Sequence, residues 1–132
     1  MATHPIMFDD ADPVLGRVRT LALAFPGAEE RIAHGRPWFF VGRAFAVYGG
    51  GTKGPDHVRH DRGLLVHVED GERPARIADP RFFVPAYVGP MGWLGIDVDA
   101  PGTDWTEVGE LLDASFRWVA PARLVRELDA RA

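Results

Sequence analysis

The chain has 132 residues, 46% of them hydrophobic, which suits one domain spanning residues 1–132 around one core. It contains no cysteine, which excludes a disulfide framework, a thiolate metal site and a cysteine nucleophile, so a cytoplasmic location is expected. The net charge is −4, from 15 Lys and Arg against 19 Asp and Glu, and gives no general attraction to nucleic acid or anionic membranes.

The segment Met1–Asp12 has no basic cluster and no apolar core, so neither a secretory signal nor a transit peptide is expected there. Asp12-Pro13 is a helix start, because the carboxylate can accept free amides and proline at the first position gives up none that matter. Val14, Leu15, Val18, Leu21, Ala22 and Phe25 then recur at helical spacing up to Pro26-Gly27. From Glu29 the period shortens to runs broken by Gly and Pro, predicting strands over 30–34, 37–41 and 43–48. A polar connection over 49–62 leads to a strand over 64–69, a short helix over 72–78 and a last strand over 93–98. Thr103 or Asp104 caps a helix carrying Trp105, Val108, Leu111, Leu112, Ser115, Phe116 and Val119, and Pro121 opens a final one. Strands grouped between terminal helices argue for an α+β fold: two layers, an antiparallel five-stranded sheet with the N- and C-terminal helices on one face. The uncharged stretch 84–96 is interrupted by two prolines and three glycines and falls short of the roughly 20 residues a bilayer needs. No membrane span is expected.

The run Leu23-Ala24-Phe25-Pro26-Gly27-Ala28-Glu29-Glu30 and the run Gly35-Arg36-Pro37-Trp38-Phe39 resemble the opening of the MmcQ/YjbR family. Asp79-Pro80-Arg81-Phe82-Phe83, Tyr87-Val88-Gly89, Gly92-Trp93-Leu94-Gly95, Ser115-Phe116 and Ala120-Pro121 are similar to its later landmarks, in order. The resemblance implies DNA binding without catalysis, on a double-wing fold likened to secretion chaperones. His67 stands where many relatives have lysine, which weakens one cationic contact near neutral pH.

Gly49-Gly50-Gly51-Thr52-Lys53-Gly54 superficially suggests a phosphate loop, but the register is wrong and no helix pattern follows, so a strand connection is the simpler reading. His57, His60 and Asp61 are metal-ligand types without a helix to aim them, so no metal and no cofactor is expected. Ser115, the only serine, sits on an inner helix stripe and reads as structural, bonded to a carbonyl one turn back. No catalytic residue and no enzymatic activity are expected; His34 or His67 paired to a carboxylate in a cleft would reopen that question.

Strand alternation puts Leu64, Val66 and Val68, Leu94, Ile96 and Val98, and Phe45 and Val47 toward the helices. Ala44, Ala46, Tyr48, Leu65, His67, Trp93, Gly95 and Asp97 then form the opposite face, rich in aromatic and small residues. Three readings of it stay open. Its aromatics can stack unpaired bases while Arg36, Arg43, Lys53, Arg59 and Arg62, all in the basic middle third, track phosphates. Tyr48, His67, Tyr87 and Trp93 can instead mark a homodimer or partner surface, or wall a small-ligand pocket. Or the C-terminal helices or the aromatic segment 82–92 fold over the face as plain cover.

Overall fold

The computed structural model describes residues 5–131. The Asp12 carboxylate accepts the Val14 amide at 2.9 Å with Pro13 at the first position, so α1 (Pro13–Ala22) begins where its cap dictates. The strands are β1 (Glu29–Ala33), β2 (Arg36–Val41), β3 (Arg43–Gly51), β4 (Arg59–His67), β5 (Phe82–Phe83) and β6 (Trp93–Asp97). They form one sheet in the order β1-β2-β3-β4-β6-β5, antiparallel at every pairing. The sheet therefore has six strands rather than five, because the two-residue β5 is too short to show an alternation. The hairpin between β3 and β4 is also tighter than the polar composition suggests: Gly49–Gly51 and Arg59–Arg62 are strand, and only residues 52–58 connect them.

Short α2 (Arg73–Ala78) precedes β5, and α3 (Trp105–Val119) and α4 (Ala122–Ala130) close the chain. The Asp104 carboxylate caps α3 by accepting the Thr106 and Glu107 amides. Leu15 and Val18 of α1, Val108, Leu112 and Phe116 of α3, and Leu124 of α4 pack on Phe39, Phe45, Leu64, Val66, Leu94 and Ile96 of the sheet. At about 25 cal/mol per Å² of apolar surface removed from water, that interface is the main stabilising contact between the two layers. Among the described residues no helix is long and apolar enough to cross a membrane.

One irregularity changes the reading of a whole strand. Phe39 pairs with Ala46 and Phe40 with Ala44, leaving Phe45 as an extra residue on β3. Such a bulge lets two consecutive side chains point the same way and reverses parity beyond it. Phe45 and Ala46 both enter the helix-side core, Tyr48 follows them there, and Val47 turns to the other face beside Leu65 and Trp93. Ala46 and Tyr48 thus leave the face that plain alternation assigns to them, and Val47 joins it. Ser115 completes the bulge: its hydroxyl donates to the Phe45 carbonyl at 2.6 Å and accepts the His67 amide at 3.0 Å. The serine is structural, but its acceptor lies on the sheet instead of one helical turn back.

Candidate functional site

The sheet face turned away from α1 and α3 carries Trp38, Val47, Leu65, Gly95 and Phe83 in one row across the strands. Over part of that row lies a strap, residues 84–92. It leaves edge strand β5 and returns to β6, yet the Ala86 amide donates to the Gly51 carbonyl of β3 at 2.8 Å. Since β6 and β4 lie between β5 and β3, the strap crosses both. Val88 packs against the Val47, Leu65 and Trp93 cluster beneath it.

Small residues make this close approach possible. A Cβ on Gly95 would stand 2.3 Å from the Phe83 ring and 2.8 Å from Leu65, so only glycine lets the ring lie across β6. The ring continues onto His60, stacked at 3.7 Å, and the His60 Nδ1 meets the Asp97 carboxylate at 2.9 Å. This histidine–carboxylate pair involves neither His34 nor His67, and its ring is taken up by Phe83. Trp93 is 7% exposed under the strap. The aromatic segment is therefore cover for the β4–β6 half of the face, one of the three readings above.

What the strap turns outward is unusual. Tyr87 has φ 67 and is 88% exposed. A non-glycine residue at positive φ costs on the order of 1 kcal/mol, and an exposed phenol ring recovers none of that by burial. Val84 and Met91 are exposed beside it in sequence, and no residue from Phe82 to Ile96 carries a charge.

The five candidate cations do not converge. Arg36 is 8% exposed, its guanidinium lying over Gly49 and donating to Asp61 at 2.9 Å. Arg59 shares the same carboxylate. Burial pushes the Asp61 carboxyl up, but the bonds from Arg36 and Arg59 outweigh it and hold its pKa below the usual value. Arg62 sits on the helix side, paired with Asp12. Arg43 and Lys53 are exposed and make no ion pair among the described residues, but they flank opposite ends of β3. At about 3.3 Å per residue that separates them by roughly 30 Å.

The four candidate contact residues also part company. Tyr48 is fully buried on the helix side and its hydroxyl donates to Asp12 at 2.6 Å; the bulge placed it there. Trp93 is buried under the strap, and Tyr87 is the exposed one. His67 lines a cavity of about 90 Å³ with Glu69, Glu72, Arg76, Glu110, Leu111, Ala114 and Trp118, without Trp93 or Tyr87. Sequence reasoning missed the His60–Asp97 pair and the crossing to Gly51. The crossing has no residue-type signal, because Gly51 accepts through its backbone carbonyl and the room its glycine leaves is taken by His57 and Val58.

The metal-ligand types go three ways: His57 bonds the Thr52 carbonyl, His60 Asp97, and Asp61 two arginines. Among the described residues no group of three His, Asp or Glu side chains is placed to hold a metal ion. A family model described as YjbR matches residues 23–118. No curated protein and no solved structure matches the chain.

Proposed function

The chain belongs to the YjbR family, and on that premise we propose that it is a non-catalytic contact module that pairs with a second copy of itself through the strap. The observation that carries this reading is Tyr87, an aromatic ring held in solvent at a left-handed backbone conformation. An exposed aromatic ring held at a strained backbone position is a cost to the isolated chain that burial of the ring against a partner offsets. The charge-free strap favours a second copy as that partner. Two chains of net charge −4 repel, but a two-fold contact centred on an uncharged segment brings no like charges together. Strap amides of Tyr87, Val88 and Met91 should shift with protein concentration in NMR spectra, and Tyr87→Ala should hold them at their dilute positions. Strap signals independent of concentration would reject self-contact.

A second reading, DNA binding, rests on the half of the face that the strap leaves uncrossed. There Trp38 and Phe40 lie with planes 18° apart and the Arg31 guanidinium stands 5.0 Å over Phe40, an arrangement suited to stacking unpaired bases. Of the five candidate cations, Lys53 and Arg43 are the two without an ion pair among the described residues. Neutralising two phosphates of a single strand gives a log affinity that falls with log salt at a slope of about −1.4. An absence of oligonucleotide binding at low salt would remove this reading.

A further inference from the structure

The cavity beside His67 has features that neither reading uses. Its lining includes the apolar Leu111 and Ala114 and the indole of Trp118, 52% exposed at the end of α3. One face of Trp118 is stacked on His67 at 4.9 Å, which fixes the indole in place. Glu69, Glu72 and Glu110 line the same cavity, all exposed and none in an ion pair among the described residues. Many carboxylates are matched, among them Asp12, Glu30, Asp61, Asp79, Glu107 and Asp113, each of which holds an arginine; what sets the three glutamates apart is that they line one cavity. The one cation in the lining, Arg76, lies 3.9 Å from Glu107 and over the Phe82 ring. Burial holds the His67 pKa below its ordinary value, so near neutral pH the ring adds no charge. The lining is left with three negative groups and one positive.

We propose that this cleft receives the cationic side chain, lysine or arginine, of a partner protein. The stem lies along Leu111 and Ala114, the cation meets the Trp118 indole, and the carboxylates of Glu69, Glu72 and Glu110 surround its outer side. A volume of about 90 Å³ admits one such side chain and little more. The site is separate from the strap and does not depend on self-pairing.

The test uses the full chain and capped Gly-Gly-Lys-Gly-Gly and Gly-Gly-Arg-Gly-Gly peptides, read at the Trp118 indole N–H signal. Both peptides should produce a saturable shift in the millimolar range, and the Nε-acetylated lysine peptide should produce none. Glu72→Gln and Glu110→Gln should each weaken binding about threefold. Tyr87→Ala should bind the peptides normally, which separates this site from the strap. No saturable shift with either cationic peptide, or an equal shift with the acetylated one, would overturn the proposal.

Discussion

The Tyr48 hydroxyl ties three elements together through one carboxylate. Asp12 caps α1, accepts from Tyr48 of β3 at 2.6 Å and pairs with Arg62 of β4 at 3.2 Å. Burial raises the Asp12 carboxyl, but the bonds from Tyr48, the Val14 amide and Arg62 outweigh it and keep its pKa low. A lowered folded pKa means stability that is present above the unfolded value, near 3.9, and lost as pH falls through the folded one. Urea unfolding should therefore weaken below about pH 4, and less steeply in Asp12→Asn. Tyr48→Phe should cost about 1–2 kcal/mol at neutral pH in the same measurement. His67 acts in a higher window. Burial lowers its pKa, so its contribution is present above about 6.5 and declines as pH falls below that. His67→Phe, which retains a ring between Trp93 and Trp118, should flatten the stability profile just below about pH 6.5.

Among the elements, β3 shows what alternation can and cannot reveal. The sides of β4 and β6 were legible because Leu64 to Val68 and Leu94 to Val98 alternate without interruption. In β3, Ala44-Phe45-Ala46-Val47-Tyr48 alternates equally well in either register, and the bulge that selects one is a pairing between strands rather than a property of either. Ser115→Ala should expose the dependence on this device. It strips the Phe45 carbonyl and the His67 amide of their shared partner inside the core, at a cost of roughly 2–3 kcal/mol, measurable by denaturant unfolding. The strap was legible as an aromatic, charge-free segment needing an anchor. Its path was hidden, because it depends on Gly95 making room for Phe83. Gly95→Ala should lift Phe83 and speed proteolysis within residues 84–92, with a stability loss of about 1–3 kcal/mol. β1 is one edge of the sheet and carries Glu29, Glu30 and Arg31. Charged side chains there guard the edge against the pairing that unprotected strands invite.

At the scale of the whole molecule, the YjbR fold divides its surface by charge. The aromatic strap is neutral, the cleft at Trp118 is acidic, and the cations of the middle third are largely matched to carboxylates. The α+β class, the helix-side residues of β4 and β6 and the family were legible from the chain because each is written in local periodicity or in contiguous motifs. The candidate cations were not separable in this way: Arg36, Arg59 and Arg62 look alike in sequence, and only the fold brings Asp61 to two of them and Asp12 to the third. The strap contact is most directly tested by sedimentation equilibrium of the wild type beside Tyr87→Ala. The account predicts a concentration-dependent dimer for the wild type and a monomer for the variant, with both equally folded. A wild type that stays monomeric through the high micromolar range, or a dimer that survives loss of the Tyr87 ring, would contradict it.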